Sequence, residues 1–355
     1  GVLIGDGRDF DEVWVHAVPG TDAYESFLSD PDVVEAIRHR DAALTDGYGM
    51  IVGEAFSDFP EVSDPPENEV IEQRELQVGS FVFNARVAGP ENGELVLLLH
   101  GFPETSLAWR AQLPALAEAG YFAVAPDLRG ISPGAQPPDV EDYRMHLIVE
   151  DILGMADALG REQFHVIGHD FGAIAAWEVA ATAPERVNTL TAFAVPHPDP
   201  FIEEARDPSS CQYEASAYFE TLTPAGSEQA FLANDGAALR MLFPGLPEGV
   251  VNEYIEVLST GDTMRAAVDW YRANTSGREL SLWNYPYGDI SVDTLMIWGD
   301  GDGAVCREPV ESTGAFVTGE YRLEILEGVD HWVPERVPDI VNPWILEHLA
   351  GADFI

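Results

Sequence analysis

An aspartate stands where a nucleophile is expected, in the stretch GHDFG at residues 168–172. The pattern glycine, any residue, nucleophile, any residue, glycine is typical of a tight turn between a strand and a helix, which exposes the central side chain. That central position usually holds serine, and here it holds Asp170. Taken alone, the pentapeptide fits a capping aspartate at a helix N-terminus equally well.

The stretch HGFPE at residues 100–104 follows an earlier apolar run and supplies candidate hydrogen-bond donors. Its turn can aim the backbone N–H of Phe102 into a site, and the bond between Phe102 and Pro103 is a candidate cis peptide. The N–H of Phe171, the residue after the nucleophile, would be the second donor. Two such donors form an oxyanion hole.

An acid and a histidine follow the last two apolar runs. WGDGD ends on Asp302, with Asp300 as the neighbouring candidate, and EGVDHWVPE contains His331. We prefer Asp302 as the acid because of its distance from the strand end. The chain order nucleophile, acid, histidine is that of the α/β-hydrolase triad, in which the histidine is the general base.

These groups need a scaffold, and the chain predicts a mainly parallel sheet. Residues 71–78 and 80–89 alternate apolar and polar side chains around Gly79, which predicts an antiparallel hairpin. Later apolar runs, separated by helical segments, suit strands that are covered on both faces. These runs lie at 95–100, 121–127, 164–170, 189–196, 294–300 and 321–328. Strands that alternate with helices indicate an α/β fold.

Two parts of the chain fall outside this alternation. Residues 197–288 are rich in aromatic, alanine and glutamate residues and predict an inserted helical cap domain, so the core comprises 67–196 and 289–355. Residues 1–66 form an N-terminal extension with a predicted helix at about 30–44. We expect this extension to pack on the core or the cap, or to form an oligomer contact such as a homodimer.

The composition is strongly acidic. The chain has 62 acidic and 18 basic residues, every basic residue is arginine, and the net charge is −44. Nucleic acid and anionic membranes are therefore poor partners. Because the acidic residues are spread along the whole chain, we expect a surface suited to molar salt, where a Debye length of about 3 Å screens self-repulsion.

Neither the apolar runs nor the cysteines indicate an anchored or metal-bound protein. No apolar run is long enough to span a bilayer, and no charged-then-apolar signal segment opens the chain, so we expect a cytoplasmic protein. The first residue is glycine, which leaves N-terminal processing open. Cys211 and Cys306 are too few for a disulfide framework or a metal cluster. We expect two unpaired thiols, with a single bridge as the alternative, and neither a metal nor a cofactor.

Six motifs in order resemble those of the α/β-hydrolase epoxide hydrolases, with the haloalkane dehalogenases as close relatives. They are HGFPE, PDLRG, GHDFG, VPHP, WGDGD and DHW. Each motif is weak, but the ordered set is specific, and the resemblance covers about residues 70–355. It implies a hydrolase core with a cap, Asp170 as the nucleophile, and Asp302 and His331 as its partners. It also implies Phe102 and Phe171 as the backbone donors.

The resemblance further implies two cap tyrosines that bind the epoxide oxygen. DWYRANTSG matches the second tyrosine segment and gives Tyr271. CQYEASAYFETL offers Tyr213 or Tyr218 as the first, and we prefer Tyr218. We expect the substrate pocket to be lined by three further residues, Trp109, Trp332 and Pro103.

A carboxylate nucleophile suits an epoxide, because an epoxide has no carbonyl group of its own. When Asp170 attacks a ring carbon, the resulting ester supplies a carbonyl. His331 then activates a water that attacks Asp170 Cγ, while Asp302 holds the imidazole. A neutral phenol donates a proton to the ring oxygen in the first step. The expected reaction converts a small hydrophobic epoxide and water to a vicinal diol.

Two other functions stay open. A haloalkane or haloacid dehalogenase uses the same ester, but typically carries Trp or Arg after the nucleophile, where Phe171 stands. The HGFP turn also lacks the Asn common in haloalkane dehalogenases. Phe171 and the aspartate of DHW depart from many epoxide hydrolases too, which carry Trp and Gly there. The third alternative is a catalytically silent ligand-binding protein, and the complete triad argues against it.

Overall fold

The chain divides into two compact units, Gly1–Phe59 and Pro60–Ile355. The structure, a computed structural model, describes residues 2–5, 12–15, 70–275 and 286–351. In the first unit, β1 (Val2–Gly5) and β2 (Glu12–Val15) form an antiparallel pair. The helix predicted at about 30–44 lies outside the described residues.

The second unit contains a mixed sheet. Its strands are β3 (Glu72–Val78), β4 (Phe81–Ala88), β5 (Leu95–Leu99), β6 (Phe122–Pro126), β7 (Phe164–His169), β8 (Val187–Phe193), β9 (Thr294–Gly299) and β10 (Tyr321–Leu326). Their order in the sheet is β10-β9-β8-β7-β5-β6-β4-β3. The β3–β4 and β4–β6 pairs are antiparallel, and the other neighbouring pairs are parallel. The predicted hairpin and the mainly parallel sheet are therefore confirmed.

Helices pack on both faces of this sheet. They are α1 (Gln112–Glu118), α2 (Met145–Ala158), α3 (Phe171–Thr182), α10 (Arg307–Ser312), α11 (Val333–Arg336) and α12 (Pro338–Leu349). All of β5 is buried, and its side chains alternate between two apolar clusters. Leu97 joins the cluster that contains residues of α2 and α3, whereas Leu98 joins the cluster of α1 and α12. This alternation follows from the two-residue period of a strand.

Between β8 and β9 the chain leaves the sheet and is mainly helical. The helices are α4 (Pro198–Arg206), α5 (Cys211–Ala215), α6 (Phe219–Leu222), α7 (Ser227–Leu242), α8 (Glu248–Leu258) and α9 (Thr263–Asn274). Non-helical backbone at residues 233–236 interrupts α7. No helix among the described residues is long and apolar enough to cross a membrane.

The two cysteines form a disulfide, so the expectation of unpaired thiols is wrong. Cys211 begins α5 and Cys306 directly precedes α10, and their Cα atoms lie 6.2 Å apart. The two residues are 95 positions apart in the chain. A count of two cysteines carries no information about this proximity, which arises because α5 packs near the loop that follows β9.

Candidate active site

Asp170 occupies the sharp turn between β7 and α3. Its backbone has φ 50° and ψ −120°, a region that costs a residue with a side chain about 1–3 kcal/mol. Asp170 is the N-cap residue of α3, but its side chain makes no capping hydrogen bond. The carboxylate is therefore directed to other partners, which distinguishes it from the capping aspartate that the pentapeptide also allowed.

The two glycines of GHDFG let the helix approach the sheet. A Cβ atom on Gly172 would lie 2.1 Å from the carbonyl oxygen of Leu99, at the end of β5. A Cβ atom on Gly168 would lie 2.3 Å from the carbonyl oxygen of Gly172. Both contacts are with backbone, which cannot move aside cheaply. The close packing of α3 against β5 and β7 therefore requires glycine at both positions.

The turn after β5 supplies a donor to Asp170. The Phe102 N–H donates a 2.8 Å hydrogen bond to Asp170 Oδ1, and the Phe102–Pro103 peptide bond is cis. Phe171 is the first residue of α3, where a backbone N–H has no acceptor within the helix. These are the two N–H groups that the sequence indicated as donors.

His331 lies between two carboxylates. Its Nε2 atom is 3.3 Å from Asp170 Oδ2, and its Nδ1 atom is 2.7 Å from Asp302 Oδ2. The backbone N–H groups of Ala304 and Val305 donate to Asp302 Oδ1 at 2.7 and 3.1 Å. The predicted nucleophile, histidine and acid, namely Asp170, His331 and Asp302, thus lie in one row of contacting side chains.

The alternative acid, Asp300, has other partners. It accepts a hydrogen bond from the Gly328 N–H at 2.6 Å and pairs with Arg307 at 3.2 Å. The hydrogen bond from Gly328 ties the loop after β9 to the loop after β10, whereas the pair with Arg307 lies within the segment after β9. Of the two aspartates in WGDGD, it is Asp302 whose carboxylate contacts the imidazole of His331.

The charges of Asp170 and His331 stabilise each other. Burial disfavours a charged imidazole, but the charge of Asp302 and the hydrogen bonds to Asp170 and Asp302 outweigh it and hold the pKa of His331 well above its ordinary value. Burial likewise opposes ionisation of Asp170, yet the hydrogen bond and charge of His331 keep the pKa of Asp170 below its ordinary value. The lowered pKa of Asp170 and the raised pKa of His331 favour an ion pair of ionised Asp170 and protonated His331.

A second buried pair, which the sequence analysis did not single out, supports this row. Glu104 Oε2 lies 2.8 Å from His169 Nδ1 and accepts a hydrogen bond from the Gly101 N–H at 3.1 Å. His169 Nε2 contacts the carbonyl oxygen of His331 at 2.8 Å. Both residues lie within the motifs HGFPE and GHDFG, but only the fold shows that they join the two turns to the backbone of His331.

Two tyrosines from the helices after β8 face Asp170. Tyr271 lies on α9 and Tyr218 directly precedes α6, and their ring centroids are 6.3 Å apart. Burial, followed by the negative charge of Asp170, raises both pKa values well above that of a free phenol. Both phenols are therefore neutral donors at neutral pH. Tyr213, the other candidate, lies on α5 and is not among the residues that line the cavity.

Asp170, His331 and the two tyrosines line one cavity. It contains about 390 Å³ of empty space, part of it open to solvent. Its polar groups belong to Asp170, His331, Tyr218, Tyr271 and Thr275. Its apolar walls include Phe171, Ile174, Val195, Phe201, Phe219 and Val305. The cavity suits a small apolar ligand with one hydrogen-bond acceptor near the phenols.

The structure does not bring the three further pocket candidates to this cavity. Trp109 is fully buried and packs on Phe193 in the apolar cluster of α1 and α12. Pro103 is absent from the cavity lining. Trp332 contacts the ring of His331 but also lies outside the lining, and its Nε1–H donates to the carbonyl oxygen of Leu242. An aromatic residue beside a motif is expected to be buried, but its position in the sequence does not show whether it packs on the side of the sheet that faces the cavity.

Comparisons with known proteins show which family this chain resembles. The family described as alpha/beta hydrolase fold matches residues 94–235. Epoxide hydrolase A of Mycobacterium tuberculosis is 30% identical over 308 residues, covering 75% of this chain and 93% of that protein. AB hydrolase superfamily protein YfhM of Bacillus subtilis is 31% identical over 285 residues, covering 78% and 97%.

Solved structures are similar to this chain as well. The epoxide hydrolase of Bacillus megaterium in complex with an inhibitor has a TM-score of 0.72 at 27% identity, covering 78% of this chain and 100% of that one. An epoxide hydrolase from Vigna radiata has a TM-score of 0.68 at 26% identity, covering 80% and 99%. This chain belongs to the α/β-hydrolase epoxide hydrolases.

In this epoxide hydrolase, Phe171 and Asp330 stand where many members of the family carry Trp and Gly. Both residues have structural partners. Phe171 stacks on Trp270 of α9, with ring centroids 4.6 Å apart and planes inclined by 19°. Asp330 of DHW accepts a 3.1 Å hydrogen bond from the Trp332 N–H and pairs with Arg336 at 2.7 Å. The aspartate thus fixes the turn that carries His331.

Proposed function

We propose that this protein hydrolyses epoxides to vicinal diols through a covalent ester on Asp170. One observation carries the proposal: a buried, ionised Asp170 shares a cavity with two neutral phenols and with the imidazole of His331. We also propose that the helices α4–α9 act as a cap, because the phenols that face Asp170 come from this part of the chain.

The first step opens the ring. An oxygen of Asp170 attacks one ring carbon, and the bond between that carbon and the ring oxygen breaks. Tyr218 and Tyr271 donate hydrogen bonds to the departing oxygen, and one phenol gives it a proton, because neutral phenols are at hand where the negative charge develops. The products of this step are a hydroxyl group, a tyrosinate and an alkyl ester of Asp170.

The second step hydrolyses the ester. Esterification removes the negative charge of Asp170, so the pKa of His331 falls, and the imidazolium returns its proton to the tyrosinate and becomes a neutral base. His331 takes a proton from water, whose oxygen attacks Asp170 Cγ while Asp302 stabilises the imidazolium. The Phe102 N–H already points at an Asp170 oxygen and stabilises the tetrahedral oxyanion, a contribution of about 3–4 kcal/mol per donor. When this intermediate collapses, the ester bond to the substrate oxygen breaks and the imidazolium protonates that oxygen, which releases the diol. The new carboxyl group of Asp170 then returns a proton to His331 and restores the resting ion pair.

The cavity favours a small, largely hydrophobic epoxide. Its walls are mainly aromatic and aliphatic, and the polar groups lie around the reacting atoms. A dehalogenase would use the same aspartate, but a halide leaving group needs no phenol to protonate it. The tyrosine pair therefore favours the epoxide over the haloalkane or haloacid.

The decisive experiment is to trap the ester. The His331→Gln variant, in molar KCl, should gain the whole mass of an added epoxide, because the ester forms and is not hydrolysed. The further change Asp170→Asn should abolish that gain. A gain of only the alkyl group from a haloalkane would make the protein a dehalogenase, and binding of the epoxide without any adduct or turnover would exclude the proposed reaction.

We also propose that this protein functions in high salt. Many acidic side chains stay exposed even when they pair with arginine: the exposed fraction is 73% for Glu91 opposite Arg74 and 67% for Asp157 opposite Arg186. Such pairs contribute little, so most of the net charge of −44 must be screened by ions. The Tm should rise from dilute to molar KCl, by more than in a neutral osmolyte that strengthens burial without screening charge. A Tm independent of KCl would refute this proposal.

A further inference from the structure

The disulfide joins the helices after β8 to the loop that carries the catalytic acid. Cys211 is the first residue of α5, and Cys306 ends the loop that follows β9. Asp302 lies four residues before Cys306 in that loop. The cross-link therefore fixes the loop close to the residue that holds the imidazole of His331.

Gln212, next to the disulfide, holds the same loop by hydrogen bonds. Its side chain is fully buried and donates to the carbonyl oxygen of Ala304 at 2.9 Å. Its Oε1 atom accepts a hydrogen bond from the Cys306 N–H at 2.9 Å. A third bond, from Nε2 to Ser216 Oγ at 3.0 Å, anchors the amide to its own helical segment. The loop is thus attached to α5 by one covalent bond and two hydrogen bonds.

The part of the loop held in this way orients Asp302. The N–H groups of Ala304 and Val305 donate to Asp302 Oδ1, and Asp302 Oδ2 contacts His331 Nδ1 at 2.7 Å. The carbonyl oxygen of Ala304 therefore accepts a hydrogen bond from Gln212, and the N–H of the same residue donates one to Asp302. A shift of this backbone would rotate the carboxylate away from the imidazole.

We propose that the Cys211–Cys306 disulfide and Gln212 are positioning residues for Asp302, and that reduction of the disulfide slows ester hydrolysis more than ester formation. This inference rests on the proposed function. Ester hydrolysis needs the base His331 and its support by Asp302, whereas the attack of Asp170 on the ring does not. A displacement of the loop after β9 therefore affects the second step selectively.

The disulfide is open to a dithiol reductant from one side. Cys211 is exposed, whereas Cys306 is only 9% exposed. A thiolate of the reductant attacks Cys211 Sγ, the disulfide bond breaks, and the Cys306 sulfur leaves and takes a proton. The second thiol of the reductant then displaces Cys211 and closes a disulfide in the reductant. Two electrons and two protons pass to the protein, which gains two thiols.

The test compares the oxidised and reduced whole protein in molar KCl. Dithiothreitol is the reductant, and the mass gained on thiol alkylation reports the redox state. A chelator is present throughout, since ligand atoms of Cys211, Cys306 and Glu308 lie within 4.8 Å of one another and the thiols could capture a metal ion. We expect reduction to lower kcat about tenfold, to leave kcat/KM within about twofold, and to increase the fraction of protein found as ester.

Variants separate positioning from other effects. The double variant Cys211→Ser, Cys306→Ser should match the reduced protein and should not respond to dithiothreitol. Gln212→Leu keeps the disulfide and a buried side chain of similar size, and should lower kcat in the same selective way. Glu214→Ala, on an exposed part of α5, is the matched control and should leave kcat unchanged.

Three results would overturn the positioning role. Equal kcat in the oxidised and reduced protein would show that the disulfide does not act on Asp302. Parallel losses of kcat and kcat/KM would indicate unfolding, and selective slowing of ester formation would indicate displacement of Tyr218.

Hydrogen exchange at the amides of Ala304 and Val305 is a readout independent of activity, and should become faster on reduction. If the oxidised protein neither forms an ester nor turns over an epoxide, the proposed function fails, while the exchange result still decides the positioning role.

Discussion

The two halves of the candidate site are held in place by different means. On the sheet side, Asp170 is fixed by a strained turn, by glycines in backbone contact and by the Phe102 N–H. On the helical side, ring contacts hold Tyr271. Its ring centroid lies 5.2 Å from that of Phe102 and 5.7 Å from that of Phe219. Backbone geometry therefore positions Asp170, the proposed nucleophile, whereas side-chain packing positions the tyrosines, the proposed proton donors.

The halves also differ in charge. The sheet side carries ionised groups that stabilise one another, namely Asp170, His331 and Asp302. The helical side presents phenols whose pKa values are raised by burial, so they donate hydrogen bonds without adding charge. Changes on the two sides should therefore affect different steps of the proposed reaction: the triad should control hydrolysis of the ester, and the tyrosines should control its formation.

The largest effect expected on the sheet side concerns Asp302. Asp302→Asn should slow ester hydrolysis about 10,000-fold, because the amide no longer stabilises the imidazolium and favours the wrong tautomer of His331. Rapid-quench measurement of the two steps checks this, since the ester should accumulate. Asp300→Asn is the matched control, because Asp300 pairs with Arg307 rather than His331. Equal slowing by both variants would contradict the assignment of Asp302.

A smaller effect is expected on the helical side. Tyr271→Phe and Tyr218→Phe should each slow ester formation about 100-fold, since each removes one donor to the ring oxygen while the other remains. The rate of ester hydrolysis, measured in a single turnover after the ester has formed, should change little. Tyr213→Phe provides the control, because Tyr213 does not line the cavity. If the tyrosine variants slowed hydrolysis instead, the division of labour between the two halves would be wrong.

The pH dependence of the two steps gives the finest test. Asp170 has a lowered pKa, so ester formation should persist as the pH falls toward the ordinary range of a carboxyl group. Hydrolysis needs neutral His331, and Asp302 still raises the pKa of His331 in the ester, so this step should slow about tenfold per pH unit below that pKa. Rapid-quench experiments at several pH values should show ester accumulating on the acid side. Parallel loss of both steps on acidification would contradict this sequence of protonation states.

The motifs predicted the sheet side of the site better than the helical side. Asp170 and Phe102 follow strands whose apolar runs are easily recognised, and parallel strands bring their carboxyl ends to one edge of the sheet. The tyrosines lie in helical segments where aromatic residues are common, so the preference for Tyr218 over Tyr213 rested on the family resemblance rather than on spacing. Trp109 shows the same limit, because proximity to a motif does not determine the side of the sheet on which a residue packs.

The sequence by itself determined the α/β fold and the place of Asp170 in a strand-to-helix turn, because strand periodicity, glycine sterics and that turn are local properties of the chain. Only the tertiary structure decided three further points: that Asp302 rather than Asp300 contacts His331, that Tyr218 faces Tyr271 across from Asp170, and that Cys211 bonds to Cys306. These contacts join segments far apart in the chain. They depend on how the helices after β8 pack near the loop after β9, and no local pattern encodes that packing.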